Sequence, residues 1–251
     1  PAYLLTISML AIIGGSGLTQ LSNLDVTHRL AVRTPYGEPS GALTFGLIAG
    51  EDVVFLARHG YGHTIPPHEV NYRANIWALK EQKVEGVISV ASVGGIRDDM
   101  KPGVIAVPHQ IIDYTWGRKN TYFEGGEQSV THIDFTDPYS VQLRRRILEA
   151  ARACGEAVIE DAIYAASQGP RLETAAEVDR LQRDGADVVG MTGMPEAALA
   201  RELELDYATI AVVANSAAGR VDSLHGIRLE QIEQVLQESL ARVRRIIEKV
   251  V

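Results

Sequence analysis

Short apolar segments alternate with longer amphipathic segments along this chain. Most of the short ones are apolar at every position, as is typical of strands covered on both faces. They predict strands over residues 10–13, 53–57, 86–91, 104–107, 162–166, 188–190 and 208–214. The amphipathic segments repeat their apolar positions every three or four residues and predict helices over 69–83, 141–154, 174–184, 195–203 and 229–250. This alternation predicts an α/β fold with a mixed, mostly parallel sheet flanked by helices.

Length and composition fit one globular domain spanning residues 1–251. Apolar residues make up 46% of the chain and charged residues 22%, which excludes disordered and fibrous proteins. A net charge of −8 argues against a nucleic-acid partner, because such proteins carry basic surfaces. A local pocket for a small anion is compatible with that charge. No apolar run reaches the roughly 18 residues that a membrane span needs, so no membrane partner is expected.

The chain is expected to work in the cytoplasm. Its one cysteine, Cys154, excludes an internal disulfide. The apolar N-terminal stretch lacks the basic residues of a signal peptide and runs directly into the glycines at 14–17. Residues 1–9 are therefore expected to form a loosely ordered leader before the first strand.

Two predicted strands are followed by residues that suit an anion. The glycine-rich turn at 14–17 exposes backbone N–H groups, and Ser16 adds a hydroxyl. The strand at 53–57 is followed by Arg58 and His59, which offer paired guanidinium donors and one imidazole donor. A plain turn and a surface ion pair are the alternatives. Because loops leave the carboxyl ends of strands at one edge of a sheet, we expect both features to share a site.

Three further strand ends carry groups that suit a flat heterocycle. Residues 91–95 offer backbone amides, and Ser92 adds a hydroxyl, for an anion or for stacking under a flat ring, although they could simply form a tight turn. Glu173 offers a carboxylate, although it could instead serve the start of the next helix. Asn215 carries a donor and an acceptor on one amide, although it could simply form a turn.

No metal site is expected. His59, His63 and His68 lie close in sequence, but the two prolines at 66–67 prevent a helix between them. Their spacing matches no familiar pattern of metal ligands.

Further motifs accompany these strand ends. The block at 70–80 reads VNYRANIWALK, and other distinctive motifs lie at 14–18, 57–60, 63–65, 169–171, 185–187 and 191–196. Together they resemble the methylthioadenosine phosphorylase branch of the trimeric purine nucleoside phosphorylase family, over about residues 10–250. The resemblance implies a single domain with a barrel-like sheet, assembled as a homotrimer. It also implies cleavage of a nucleoside by inorganic phosphate, a co-substrate, without any metal or organic cofactor.

The resemblance implies a role for each candidate residue. The phosphate-binding residues would be Ser16, Arg58, His59, Ala91, Ser92 and Thr192. The nucleoside-binding residues would be Gly94, Leu172, Glu173, Met191, Asn215, Ser216, Ala217 and Leu229. Met191 would lie against the ribose, and Asn215 would be the catalytic donor to the purine. His132, in the irregular segment 113–138, would complete the site of a neighbouring subunit.

Departures from the methylthioadenosine branch predict a different base. Adenine-directed members carry Ser in place of Glu173 and Asp in place of Asn215 and Ala217, whereas the pair Glu173 and Asn215 resembles the 6-oxopurine phosphorylases. Hypoxanthine carries a hydrogen on N1, which a carboxylate accepts. Adenine N1 is itself an acceptor and would face the lone pairs of Glu173.

Leu229 stands where the family meets the 5′ substituent of the nucleoside. An apolar residue there fits a methylthio group better than a hydroxyl, although Leu229 could also be a core residue of the last helix. The resemblance and its departures together predict phosphorolysis of 5′-methylthioinosine. Phosphorolysis of methylthioadenosine and non-catalytic nucleoside binding are the alternatives.

Overall fold

The computed structural model describes residues 9–126 and 129–251, so the expected leader lies outside the described residues except for Met9. The strands are β1 (Leu10–Gly14), β2 (Asp25–Leu30), β3 (Leu43–Ile48), β4 (Glu51–Ala57), β5 (Gly86–Gly95), β6 (Ile105–Ala106), β7 (Gln110–Asp113), β8 (Ile163–Ala166), β9 (Val188–Gly190) and β10 (Asp206–Ser216). The helices are α1 (Tyr72–Glu81), α2 (Val141–Ala153), α3 (Ala175–Arg183), α4 (Gly193–Glu202) and α5 (Leu229–Val250), with a short 3₁₀ turn at Val221–Ser223.

The sheet branches at β5. Its main path runs β2-β3-β4-β1-β5-β9-β8-β7, and β10 joins it along the whole length of β5. Neighbours β4, β1, β5 and β10 are parallel, while β2, β3 and β6 pair in the antiparallel sense. The expected fold class, a mixed, mostly parallel sheet flanked by helices, is confirmed.

Two strands run further than their apolar cores predicted. The β5 strand continues through Ser92 and Gly94 to Gly95, and β10 continues to Ser216 with an irregularity between Val213 and Asn215. The expectation that these polar residues follow their strands is therefore wrong. They lie within the strands because backbone pairing between β5 and β10 holds them there.

Apolar layers cover both sides of the central strands. On one side, α2 and α5 pack with residues such as Ile147 and Val243 against Ile88 and Ile210. On the other side, Ile76 of α1 and Leu199 of α4 belong to a second buried cluster. With both faces covered, the carboxyl edge of the sheet remains open for loops and for a site.

Candidate active site

A cavity of about 730 Å³ lies at the carboxyl ends of β1, β4, β5, β9 and β10. Most of the predicted site residues line it, although the most distant of them, Ser16 and Leu229, are 213 positions apart in the chain. They are Ser16, Arg58, His59, Ala91, Ser92, Gly94, Leu172, Glu173, Met191, Thr192, Asn215, Ala217 and Leu229. The structure therefore brings the predicted phosphate-binding and base-binding groups together.

Two predicted residues do not line this cavity. Ser216 is buried at the end of β10, where its carbonyl oxygen accepts hydrogen bonds from Ser223 and Asn215, and it borders a neighbouring cavity. His132 is exposed on the segment 113–138. Within one subunit neither side chain is placed to touch a ligand in the main cavity.

Arg58 is fully buried and tied to Glu196. Its Nε and Nη2 atoms donate to the two carboxylate oxygens of Glu196 at 2.8 and 2.9 Å. Nη2 also donates to the Ser89 hydroxyl at 2.6 Å, and Nη1 to the carbonyl oxygen of Val90 at 3.2 Å. Burial lowers the pKa of the Arg58 guanidinium, but the Glu196 carboxylate outweighs burial and raises it above its ordinary value.

This arrangement corrects the expectation of paired guanidinium donors for an anion. A guanidinium has five N–H groups, and within the described residues four of those on Arg58 already have acceptors. One N–H of Nη1 is left for the cavity. The Glu196 carboxylate also cancels the charge of Arg58, so the pair presents a directed donor without a net positive charge.

His59, like Arg58, offers fewer hydrogen-bond donors to the cavity than the sequence predicts. Its Nδ1 lies 2.8 Å from the carbonyl oxygen of Ile65, which can only accept, so Nδ1 carries the hydrogen. Burial and the Arg58 guanidinium lower the pKa of His59 to about 4, so the ring is neutral at neutral pH. The predicted imidazole donor is therefore wrong, because in this tautomer Nε2 is an acceptor. An acceptor suits the P–OH hydrogen of hydrogenphosphate.

The glycine-rich turn is shaped by its neighbours. A Cβ at Gly15 would lie 2.6 Å from the carbonyl oxygen of Val90 and 3.0 Å from Nη1 of Arg58. Only glycine lets the turn pass this close to the backbone of β5. The Ser92 hydroxyl donates to the Ser16 carbonyl oxygen at 3.3 Å and joins the turn to β5.

Thr192 stands immediately before α4. Its backbone N–H donates to the Tyr164 hydroxyl at 3.3 Å, while its own hydroxyl makes no capping bond. Thr192 lines the cavity, and the non-helical backbone of Met194 separates it from the regular part of α4. Glu196, the partner of Arg58, lies just beyond that break in α4.

Glu173 does not serve the following helix. Thr174 caps α3 in a reciprocal pair with Glu177, and the Glu173 carboxylate instead accepts a hydrogen bond from the Ser167 hydroxyl at 2.5 Å. Asn215 is equally specific in its contact, since its Nδ2 donates to the Ser216 carbonyl oxygen at 2.7 Å. Within the described residues its second amide hydrogen and its Oδ1 have no partner. Because Asn215 lies within β10, the alternative of a simple turn former is wrong.

The wall contributed by α5 and the loop before it is apolar. Leu229 lines the cavity but is 67% exposed, so it is not a core residue. Ile227, Ile232 and Leu236 line the same wall. His225 is exposed and lies outside this wall.

Several residues that line or support the cavity were not predicted from the sequence. His63, Thr64 and the prolines at 66–67 line the cavity. Their sequence indicates a family motif, a rejected metal ligand in His63, and helix breakers in the prolines, but not a place in the cavity wall. No feature of the sequence indicated a role for Arg118. Its guanidinium donates to the carbonyl oxygens of Gln168, Met191 and Met194 at 2.7–2.8 Å and lies over the Tyr72 ring.

Two other features are absent from residues 9–126 and 129–251. No three His, Cys, Asp or Glu side chains there are grouped so that they could hold a metal ion. No helix in the same ranges is long and apolar enough to cross a membrane.

Comparisons with known proteins agree with this geometry. A protein of Pseudomonas syringae pv. tomato named "probable S-methyl-5′-thioinosine phosphorylase" is 53% identical over 240 residues, covering 96% of this chain and 97% of the relative. The 6-oxopurine nucleoside phosphorylase of Pyrococcus furiosus is 47% identical over 215 residues, covering 84% and 80%. Methylthioadenosine phosphorylase from Schistosoma mansoni, solved with adenine, superposes with a TM-score of 0.92 at 31% identity, covering 97% and 90%. A family model described as the phosphorylase superfamily matches residues 9–251. The chain therefore belongs to the phosphorylase superfamily and is a purine nucleoside phosphorylase.

Proposed function

We propose that this enzyme cleaves S-methyl-5′-thioinosine with inorganic phosphate, releasing hypoxanthine and 5-methylthioribose 1-phosphate. The observation that carries the proposal is one cavity that joins a carboxylate, Glu173, to an apolar wall around Leu229. The Pseudomonas and Pyrococcus relatives, named for methylthioinosine and for 6-oxopurines, support it.

Glu173 and Asn215 account for the base. Within the described residues, Oε2 of Glu173 has no hydrogen-bond partner, so it is free to accept N1–H of hypoxanthine. Asn215 keeps one amide hydrogen for N7. Adenine has no hydrogen on N1, and a mismatched hydrogen bond in a buried site costs about 1–3 kcal/mol.

The reaction joins a phosphate oxygen to the anomeric carbon as the bond from that carbon to purine N9 breaks. The electron pair of the broken bond passes to the purine, which later takes a proton from water. Asn215 donates to N7 as this negative charge grows. The Arg58 N–H and the hydroxyls of Ser16 and Thr192 donate to the phosphate, and the Ser92 hydroxyl, whose hydrogen goes to the Ser16 carbonyl oxygen, can accept from its P–OH group. Positioning and directed donors supply most of the rate. Phosphate is a co-substrate, and the proposal includes no metal or organic cofactor.

The apolar wall accounts for the 5′ substituent. A ribose hydroxyl against Leu229 and its neighbours would lose hydrogen bonds to water, at a cost of about 1–3 kcal/mol. A methylthio group has no such hydrogen bonds to lose. Methylthio nucleosides are therefore the favoured substrates.

The proposal includes a homotrimer in the cytoplasm, with His132 of each subunit completing a neighbour's site. Two large apolar side chains of the segment 113–138 support an interface there, since Trp116 is 72% and Val130 78% exposed. Leu229 is also exposed at the cavity mouth. A neighbouring subunit would cover these surfaces.

A substrate panel tests the function. Methylthioinosine, methylthioadenosine, inosine and adenosine are each assayed with and without phosphate. We expect kcat/KM to be highest for methylthioinosine and turnover to require phosphate. In Leu229→His we expect a shift towards inosine.

Two outcomes of this panel contradict the proposal. A preference for methylthioadenosine would leave the activity named for the Schistosoma structure as the better assignment. Binding without phosphate-dependent cleavage would indicate a non-catalytic nucleoside-binding protein.

A further inference from the structure

The hydroxyl of Ser167 is bound to the carboxylate of Glu173. Ser167 directly follows β8, and its Oγ donates to Oε1 of Glu173 at 2.5 Å across the turn that separates the two residues. The carbonyl oxygen of Gly190 lies further from this hydroxyl, at 3.4 Å. A serine hydroxyl has a single hydrogen, so Glu173 receives it in the shorter contact.

The fold does not need this hydroxyl. The backbone N–H of Ser167 already donates to the carbonyl oxygen of Gly190 at 2.7 Å, which holds the start of the turn against β9. Arg118 holds the next residue through the Gln168 carbonyl oxygen at 2.8 Å. The backbone is therefore fixed without the Ser167 side chain.

Glu173 likewise has no other structural partner within the described part of the chain. The helix that follows is capped by Thr174 and Glu177. Arg171, close by in the same turn, pairs with Glu177 instead. The contact with Ser167 is thus what fixes the orientation of the Glu173 carboxylate.

We infer that Ser167 is a positioning residue that sets the base preference of the enzyme through Glu173. With Oε1 occupied by the serine hydrogen, Oε2 is the oxygen that meets N1 of the base. An acceptor held in place favours a base with N1–H and opposes one with a lone pair on N1. The inference rests on the proposed function only in naming hypoxanthine as the favoured base.

Removing the hydroxyl leaves Glu173 free to rotate and to pair with water. For Ser167→Ala we expect kcat/KM for methylthioinosine to fall about tenfold, with a much smaller change for methylthioadenosine. The Michaelis constant for phosphate should not change, because Ser167 touches no phosphate-binding residue. Ser167→Thr keeps a hydroxyl and should restore the ratio of the two activities.

A double-mutant cycle separates positioning from general damage. In a Glu173→Ala background, adding Ser167→Ala should leave the ratio of the two activities unchanged, since the carboxylate is gone. Thr121→Val is the matched control, because its hydroxyl also donates to a carboxylate, that of Glu202 at 2.6 Å, and neither residue lines the cavity. Melting temperatures of all variants identify any loss of folding.

The outcomes distinguish this inference from the proposed function. An unchanged ratio in Ser167→Ala overturns the role of Ser167, as does an equal change in the Glu173→Ala background. A wild-type preference for methylthioadenosine overturns the proposed substrate alone. In that case the cycle still decides whether Ser167 acts through Glu173.

Discussion

At the scale of single residues, the buried pair of Arg58 and Glu196 organises the phosphate side of the cavity. Both side chains are completely buried, and the Tyr207 hydroxyl adds a third hydrogen bond to Glu196 at 2.7 Å. The two residues are 138 positions apart. Sequence patterns identified Arg58, but they gave no indication of its partner, because the partner depends on how α4 packs on the sheet.

Neutralising Glu196 should damage both stability and phosphate binding. For Glu196→Gln we expect a loss of about 3–5 kcal/mol in the free energy of unfolding, because Arg58 keeps a buried charge without a counter-charge. The phosphate Michaelis constant should rise as the guanidinium turns. Urea unfolding and phosphate kinetics measure the two effects.

The exposed pair of Arg145 and Glu149 provides the matched control. Glu149→Gln removes the same charge from a surface pair and should change stability by less than about 1 kcal/mol. If Glu196→Gln were as harmless as Glu149→Gln, the buried pair would not organise the site.

His59 should make the stability of the protein sensitive to pH. The ordinary histidine pKa is 6.5, whereas burial and Arg58 lower that of folded His59 to about 4, with His63 contributing in the same direction and Glu196 opposing it. The unfolded chain therefore takes up the proton first. The contribution of His59 to the free energy of unfolding is fully present above pH 6.5. It is lost as the pH drops towards 4, and the loss amounts to up to about 3 kcal/mol.

Unfolding free energies at several values between pH 7 and pH 4 test this expectation. His59→Gln should show a flatter profile than the wild type. His225→Gln, which alters an exposed histidine, should follow the wild-type profile. Parallel profiles for the wild type and His59→Gln would contradict the assignment.

At the scale of elements, the ranges predicted from the hydrophobic pattern agree best with the observed ranges where strands and helices are strongly apolar. The bounds of β9 and α5 match the expected ranges, and the start of β1 matches as well. The expected ranges omitted β2, because all six of its residues are exposed at the edge of the sheet. They also omitted β3, where Gly46 interrupts the apolar run. The strand β2 lies at the edge of the sheet and β3 lies between β2 and β4. Both depend on pairing with their neighbours, which a single sequence does not reveal.

Most of the candidate residues line one cavity, although several of the elements that carry them differ from the expected ranges. Residues at strand ends gather wherever parallel strands share an edge, which is why separate motifs met in one cavity. The contacts of Ser167 and Arg118 could not be predicted, because they join segments through turns that have no periodic pattern.

Arg118 should be needed to hold two of these turns together. It reaches the turn after β8 through Gln168, the turn after β9 through Met191, and the start of α4 through Met194. Arg118→Met leaves carbonyl oxygens without donors and should cost about 1–3 kcal/mol of stability. Turnover should fall more than phosphate affinity, and amide hydrogen exchange at 167–173 should become faster.

Arg180→Met is the control for that experiment. Arg180 also lies over a tyrosine ring, at 5.5 Å from the centre of Tyr114, but its side chain is largely exposed. We expect it to leave turnover and exchange at 167–173 unchanged. Equal effects of the two substitutions would show that Arg118 has no special role.

At the scale of the whole molecule, the proposed trimer predicts that damaged subunits can rescue one another. His132→Ala damages the neighbour's site, whereas Glu173→Ala damages its own. Unfolding and refolding the two variants together should produce mixed trimers in which some sites have both residues, so activity should recover. Sedimentation should give a mass three times that of the chain. A fully active monomer, or no recovery in the mixture, would exclude the arrangement.

The buried pair of Arg58 and Glu196 also determines how the enzyme responds to salt. A pocket lined by free cations binds anions less tightly as ionic strength rises. Here the local charges cancel, His59 is neutral, and the chain as a whole carries −8. Raising sodium chloride from about 0.1 to 1 M shortens the screening length from about 10 to 3 Å and weakens the repulsion between chain and phosphate. The phosphate Michaelis constant should therefore stay level or fall with added salt, whereas screening a net positive site would raise it. The enzyme would then bind phosphate no less tightly when the salt concentration of its surroundings rises.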